Sequence, residues 1–388
     1  MAQITRAHVR AGFLQVHRWL GLTLGLVLAL MGLTGATMAF EDPIMAALSP
    51  GVASVPVRSA PTLAPDALLA RLAKAQPEAV VTTLTLRSKP GASPQVSFTE
   101  AAEPGGHARK LYLDPYDGHV LGPATGEEFF ATTRRLHRFL LLPGEGKGWG
   151  RQITGAAAIS LIFFAVSGLY LRWPKRLLDW KVWLKPNLKA KRRGLYWSLH
   201  AVIGTWVFVV YLIIALTGLT WSYEWYRKGF QIVLTGTAPL AQEPAGPRKA
   251  AVPVSLDKAY VAARPGGETP ELVLLTVPRN AKATVRVRTL AADAAHDRAF
   301  DEWRIDGRTG AVREYKAYAV RSLGEQIVQA RLAVHRGSFF GLPGQIVFML
   351  AAATMPLFPI TGYLLYLGRG RRPVRAKPAV ATLKPGRA

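Results

Sequence analysis

Two histidines begin two apolar stretches that share one spacing. His17 starts HRWLGLTLGLVLALMGLTGATMAFE, and His200 starts HAVIGTWVFVVYLIIALTGLTWSYE. In both stretches a glycine follows four positions on, Gly21 in the first and Gly204 in the second. Four residues are about one helical turn, so each histidine shares a helix face with its glycine. An imidazole beside a residue that lacks a side chain indicates room for a flat cofactor against the helix backbone.

Two further histidines form a second matched pair. His137 lies in the segment LHRFLL and His335 in VHRGSFFG, each towards the end of a predicted amphipathic helix. Haem ligation by two histidines needs a neutral imidazole nitrogen on each side of the porphyrin, which facing helices can supply. Zinc would need three or four ligands with Cys, Asp or Glu nearby, and the sequence shows no such cluster. The alternative is that each histidine is an interfacial residue, hydrogen bonded to a backbone carbonyl or facing lipid headgroups.

Three arginines directly follow paired histidines: Arg18, Arg138 and Arg336. Their guanidinium groups could pair with haem propionates, or they could instead extend to lipid phosphates. The other histidines have no matched partner, and we predict that they are surface residues: His8, His107, His119 and His296.

Four uncharged apolar stretches indicate membrane spans. Residues 19–40, 152–171, 194–223 and 337–368 contain no charged side chain, and half of the chain is hydrophobic. About 20 helical residues cross a hydrocarbon core roughly 30 Å thick. The sequence therefore predicts four transmembrane helices, near residues 14–40, 151–173, 197–223 and 343–367.

The basic charge is concentrated on one side of these spans. The net charge is +25, and residues 172–193 hold nine Lys/Arg against one acidic residue. Short loops rich in Lys/Arg stay in the cytoplasm, so we expect both termini, the loop 174–196 and the tail 368–388 there. Residues 41–150 and 224–342 are then outside a bacterial inner membrane, in the periplasm. Orientation and anionic lipids account for the charge, so nucleic-acid binding is not indicated.

The two outside segments share one plan. Each begins with a short helix and continues in three strands. In the first segment the helix is predicted at 66–76 and the strands at 80–87, 95–100 and 110–114. In the second the helix is predicted at 254–264 and the strands at 272–277, 284–289 and 300–305. A turn follows in each, DPYDG and DGRTG, and then an amphipathic helix, at 127–142 and 321–335. This pattern predicts a helical membrane protein built as a tandem parallel repeat with two periplasmic α+β modules. Its axis, along the membrane normal, places one histidine pair near each membrane face.

The amino-acid composition excludes several kinds of chemistry. The chain contains no cysteine, which excludes disulfides, thiolate-ligated iron–sulfur clusters and thiol redox reactions. No nucleotide-binding glycine motif, Ser-His-Asp set or paired carboxylate site is visible in the sequence.

The four histidine motifs in this order, with the DPYDG and DGRTG turns, resemble the PepSY-associated transmembrane (PepSY_TM) family. The resemblance covers nearly the whole chain. That family includes iron-regulated inner-membrane proteins and ferrisiderophore reductases, so the resemblance implies two b-type haems and reduction of a ferric siderophore in the periplasm. It assigns the axial ligands to His17, His137, His200 and His335. Some relatives carry a flavin reductase domain that is not recognisable here, which leaves quinol or a cytoplasmic flavin/NAD(P)H reductase as the expected donor.

The expected function is therefore that of a haem-dependent ferric-siderophore or ferric-chelate reductase of the cell inner membrane. The haem carries the redox chemistry, and no other catalytic residue is predicted. One alternative is a non-catalytic PepSY membrane protein that binds or regulates a partner such as a peptidase or a sensor. Another is a permease for iron or siderophore.

Overall fold

A computed structural model describes residues 6–100, 109–174, 177–239, 254–264, 267, 269–278 and 284–369. Within them, four helical segments are long and apolar enough to cross a membrane: Arg6–Ala47, Trp149–Arg172, Arg193–Ser222 and Ser338–Leu367. The prediction of four spanning helices is thus confirmed. The basic tail beyond 369 and His107 lie outside the described residues.

Helices make up most of the described chain. The helices are α1 Arg6–Thr37, α2 Glu41–Ala47, α3 Pro65–Ala75, α4 Glu127–Phe139, α5 Trp149–Arg172, α6 Trp180–Leu184, α7 Arg193–Ser222, α8 Glu224–Thr235, α9 Leu256–Ala262, α10 Leu323–Gln329, α11 Arg331–Arg336, α12 Gly341–Ala353 and α13 Leu357–Leu367. The short helices α2, α6 and α8 had not been predicted from the sequence.

Eight strands form a single antiparallel sheet in the order β4-β3-β2-β1-β5-β6-β7-β8. The strands are β1 Ala79–Arg87, β2 Gln95–Glu100, β3 Arg109–Leu113, β4 Val120–Gly122, β5 Leu272–Thr276, β6 Thr284–Leu290, β7 Asp301–Asp306 and β8 Val312–Lys316. The six predicted strands are present, and β4 and β8 are additional.

The two halves of the chain meet at the centre of this sheet. β1 pairs with β5 over five residues, and buried Leu84 lies opposite buried Leu275. We had predicted two modules, and the structure joins their strands into one sheet. The reason is physical: a lone four-stranded sheet would leave the backbone groups of β1 or β5 unpaired at an open edge.

The two helices α3 and α9 pack on each other beside this joint. Their first turns are capped reciprocally by aspartates of the other half. Asp66 on α3 accepts hydrogen bonds from the Ser255 hydroxyl at 2.7 Å and the Leu256 N–H at 2.8 Å. Asp257 on α9 accepts one from the Asp66 N–H at 2.9 Å. Each carboxylate satisfies a helix N–H that has no partner within its own helix.

A second core fixes the sheet to helices α10 and α11, which precede the fourth span. Leu272, Leu290 and Phe300 from the sheet region pack with Ala330 and Ala333 at the junction of α10 and α11. We had predicted one helix over 321–335, but the chain breaks at Ala330. The sequence carries no glycine or proline at this break, so it gives no local signal for it.

The fourth span is also interrupted, whereas a continuous helix over 343–367 had been predicted. α12 ends at Ala353 and α13 begins at Leu357, after Pro356, which has no N–H to donate. The Tyr211 hydroxyl on α7 donates to the Ala351 carbonyl at 2.9 Å. A side chain from the neighbouring span thus helps to satisfy the backbone beside the break.

The reciprocal caps generate a stability prediction. Asp66→Ala should lower the free energy of unfolding by about 1 kcal/mol, the usual loss for a helix cap, because the α9 N-terminus and the Ser255 hydroxyl lose their acceptor. Thermal unfolding of the purified full chain measures this change. Asp293→Ala, at an exposed loop carboxylate, is the control. Equal melting temperatures for the two variants would contradict the capping role.

Candidate functional site

The predicted pair His17 and His200 meets at the end of the bundle remote from the sheet, here called the sheet-distal site. Their ring centroids are 6.2 Å apart. Gly21 and Gly204 line the same cavity. A Cβ added to Gly21 would meet no atom within 4 Å, and one added to Gly204 would meet only Phe358, at 3.4 Å. The glycines therefore leave open space beside the two imidazoles.

The predicted pair His137 and His335 meets at the other end of the bundle, here called the sheet-proximal site. Their ring centroids are 6.5 Å apart. Gly35 on α1 and Gly218 on α7 lie directly under these rings. An added Cβ would come within 3.3 Å of the His137 ring at Gly35 and within 3.2 Å of the His335 ring at Gly218. Because these glycines have no side chain, each imidazole can lie against the backbone of α1 or α7.

The separations suit one metal-centred group between each pair of rings. With a metal–nitrogen bond of about 2.0 Å and an imidazole radius of about 1.2 Å, two imidazoles on opposite sides of one metal have centroids about 6.4 Å apart. The observed separations are 6.2 and 6.5 Å. The ring planes are inclined by 62° and 77°, so the imidazoles are not stacked on each other. The ring separation at each site therefore suits one metal ion between two imidazoles.

The sheet-proximal histidines are in the protonation state that ligation requires. His137 and His335 lie outside the four spanning segments. Burial lowers the pKa of each to about 4, against smaller opposing effects of the Met31 and Ile214 carbonyls. Both imidazoles are therefore neutral at neutral pH, with a lone pair available to a metal.

Every paired histidine also contacts a serine or threonine hydroxyl through Nδ1. These serines and threonines were not predicted from the sequence, although a signal was present. Thr34 follows His17 by 17 positions, and Thr217 follows His200 by the same number. Ser167 and Thr361 each precede a glycine in the second and fourth spans. The contacts are His17 to Ser167 at 2.8 Å, His200 to Thr361 at 2.8 Å, His137 to Thr34 at 3.0 Å and His335 to Thr217 at 3.0 Å.

Basic residues surround the sheet-distal cavity. Arg18, Arg172 and Arg369 line it, and its lining contains no carboxylate from the described residues. The Arg18 Nε is buried without a hydrogen-bond partner among those residues, whereas Arg172 donates to the Ala201 carbonyl at 2.8 Å. The positive charge at this site favours an anionic group.

The arginines at the sheet-proximal site are not equivalent. Arg138 lies over the Phe139 ring at 4.8 Å and has no ion pair within the described residues. Arg336, by contrast, is paired with Asp297 and donates to the Ser338 hydroxyl at 3.3 Å. Of the two arginines, Arg336 is therefore the one whose charge is already paired with a carboxylate.

Arg331 was missed by the sequence reasoning. It precedes His335 by one helical turn on α11, and its guanidinium lies 5.6 Å from the centre of the Trp221 ring. Trp221 in turn contacts the His335 ring at 5.5 Å between centroids. Arg331 Nε is buried without a hydrogen-bond partner in the described part of the chain. Its position four residues before His335 could have indicated that Arg331 lies on the same helix face as this histidine.

The prediction that His296 is a surface residue was wrong. Its side chain is buried, and its Nε2 lies 2.8 Å from the Tyr318 hydroxyl. Its Nδ1 accepts a hydrogen bond from the Arg298 N–H at 3.1 Å, and the ring packs on Phe339. The β6–β7 loop is therefore docked on the segment after α11, which places His296 in a packed interior. His8 and His119 are exposed, as predicted.

Four apolar spans, a separate antiparallel sheet and histidine pairs at two levels define a multi-span membrane protein. The sequence profile described as the PepSY-associated TM region matches residues 14–369, and the chain belongs to this family. No curated protein matches the chain.

Proposed function

We propose that this protein is a dihaem b-type oxidoreductase of a bacterial inner membrane. It would pass electrons across the bilayer to reduce a periplasmic ferric siderophore or another ferric chelate. The observation that carries the proposal is the pair of imidazole couples, His17 with His200 and His137 with His335, each at the separation that one iron between two rings requires. Isolated interfacial histidines would have no reason to meet in two such couples.

The position of the two sites suits transfer across a membrane. α1 carries His17 and also Thr34, which contacts the second site through His137. These residues are 17 positions apart, which is about 25 Å along a helix at 1.5 Å per residue. Two haems at these levels would divide a hydrocarbon core of roughly 30 Å into shorter steps.

The charge distribution supports an orientation. The sheet-distal site adjoins the basic loop 174–196, which the positive-inside rule places in the cytoplasm. The sheet is then periplasmic. On this assignment the two halves form a tandem parallel repeat, each with a span, a periplasmic module whose strands join the common sheet, and a second span.

The chain's own residues would bind and orient the cofactors. When bound, haem supplies one-electron chemistry. The four paired histidines would hold the iron, and Gly21 and Gly204 would admit the porphyrin at the sheet-distal site. Arg18 there, and Arg138 with Arg331 at the sheet-proximal site, could pair with propionates. Reduction to Fe²⁺ releases iron because siderophore oxygens hold Fe²⁺ far more weakly than Fe³⁺. Quinol or a cytoplasmic flavin/NAD(P)H reductase is the proposed electron donor.

An absorption spectrum of the purified full chain tests this function. We expect a b-type Soret band, two haems per chain, and reoxidation of the dithionite-reduced protein by a ferric siderophore. A colourless protein that binds no added haem would contradict the proposal. It would favour the non-catalytic, partner-binding alternative, in which the sheet recognises another protein.

The pairing of the histidines makes a sharper prediction. His137→Ala and His335→Ala should lose the same haem, leave about half of the wild-type haem, and stop ferric-chelate reduction. His17→Ala and His200→Ala should lose the other haem. Haem content and low-temperature spectra of the remaining haem are the measurements. His119→Ala, at an exposed histidine, is the control. Loss of the same haem in His17→Ala and His137→Ala would rule out the two-level arrangement.

The glycines give an independent prediction. Gly21→Leu should abolish haem binding at the sheet-distal site, because the new side chain would occupy the open space beside His17. Haem per protein should fall to about half of the wild-type value. Gly12→Leu is a matched control on the same helix, since Gly12 is exposed and a Cβ there also meets no atom within 4 Å. Full haem loading of Gly21→Leu would mean that the cofactor lies against another face.

The orientation is tested with reporter fusions. Fusions after residues 100 and 290 should give periplasmic signals, and fusions after residues 185 and 380 cytoplasmic ones, because short basic segments stay in the cytoplasm. A cytoplasmic signal after residue 100 would reverse the assignment of the two sites to the membrane faces.

A further inference from the structure

The hydroxyl group beside each paired histidine also has a carbonyl acceptor in its own helix. The Thr34 hydroxyl donates its single hydrogen to the Leu30 carbonyl at 2.7 Å, in its own helix. With its hydrogen on that carbonyl, the Thr34 oxygen can accept a hydrogen bond from His137 Nδ1, 3.0 Å away. In this arrangement Nδ1 carries the proton, and the lone pair of the neutral imidazole is on Nε2.

The same arrangement recurs at the other three histidines. Each hydroxyl has the carbonyl four residues earlier in its helix as an acceptor, which leaves its oxygen free to accept from its histidine. The distances to these carbonyls are 2.6 Å for Ser167 to Phe163, 2.6 Å for Thr361 to Leu357 and 2.6 Å for Thr217 to Ile213. The same arrangement at four helical positions therefore favours one tautomer.

We propose that Thr34, Ser167, Thr217 and Thr361 are positioning residues that hold the four histidines with Nε2 available to haem iron. The inference rests on the proposed haem function and deepens it. Metal-bound histidines nearly always donate their other N–H to an acceptor, which fixes the ring and raises its basicity. A hydroxyl does this without a buried charge, which suits an apolar bundle where a carboxylate would be costly.

Helices α1 and α7 each contribute a histidine to one site and a hydroxyl group to the other. Each hydroxyl belongs to the same half of the chain as its histidine but to a different helix. α1 holds His17 for the sheet-distal site and Thr34 for the sheet-proximal site, and α7 holds His200 and Thr217 in the same manner. A substitution at Thr34 should therefore act on the haem that His17 does not bind. No general loss of helix stability would produce this selectivity.

The test is a redox titration of the purified, haem-loaded full chain carrying Thr34→Val. Valine keeps the shape and removes the acceptor. A less basic His137 stabilises ferric iron less, so the midpoint potential of the sheet-proximal haem should rise. The reduction equilibrium should shift by up to about tenfold, which for one electron is about 59 mV. The sheet-distal haem should keep its potential, and Thr34→Ser should restore the wild-type value.

Ser167→Ala should give the reciprocal result, moving only the sheet-distal haem. Thr37→Val is the control on α1, because the Thr37 hydroxyl bonds to the Leu33 carbonyl at 2.9 Å and is exposed. Should Thr34→Val fail to accumulate, Thr217→Val tests the same site from the other half. Loss of the sheet-proximal haem alone in Thr34→Val would also support the proposal.

Two results would overturn the inference while leaving the proposed function intact. One is a two-haem Thr34→Val protein with wild-type potentials and electron paramagnetic resonance spectra. The other is a shift of the sheet-distal haem in that variant. A wild-type protein without haem would instead contradict the proposed function itself, so the two failures are distinguishable.

Discussion

An imidazole buried among apolar helices must satisfy both ring nitrogens, and this requirement organises the membrane part of the protein. Nδ1 of each paired histidine meets a hydroxyl from a neighbouring helix. Each hydroxyl in turn is bound to its own helix backbone, so the imidazole is tied to two helices at once. The remaining nitrogen is left for a ligand. The same four contacts thus fix the packing of the spans and the chemistry that the sites can support.

The sheet determines how the two halves face each other. Every histidine pair contains one residue from each half, so the pairs form only if the halves keep a fixed relation. The β1–β5 pairing and the reciprocal caps of Asp66 and Asp257 provide that relation outside the helix bundle. The core at Ala330 and Ala333 packs α11 against the sheet region, so the position of His335 also depends on this relation. The sheet region therefore supports a site that contains none of its own strands.

Much of this arrangement was readable in the sequence, because it repeats. The recurrence of His17 and His200 with their glycines predicted the sheet-distal site, and long uncharged runs predicted the spans. The hydroxyl contacts were missed because serines and threonines are common in apolar helices, and the shared 17-residue spacing of Thr34 and Thr217 from their histidines does not by itself indicate a contact. The β1–β5 joint depends on pairing between strands far apart in sequence, which no local period encodes. The break at Ala330 is imposed by packing against the sheet and has no helix-breaking residue.

The β1–β5 joint has a consequence for synthesis of the protein. About 185 residues separate Arg87 at the end of β1 from Leu272 at the start of β5. At roughly 5–20 residues per second, β1 waits on the order of 10–40 s for its partner strand while the chain is still growing. During that interval the nascent first half presents an open strand edge and an uncapped α3. Chaperones and proteases therefore have a defined kinetic window in which to act on this protein before its sheet closes.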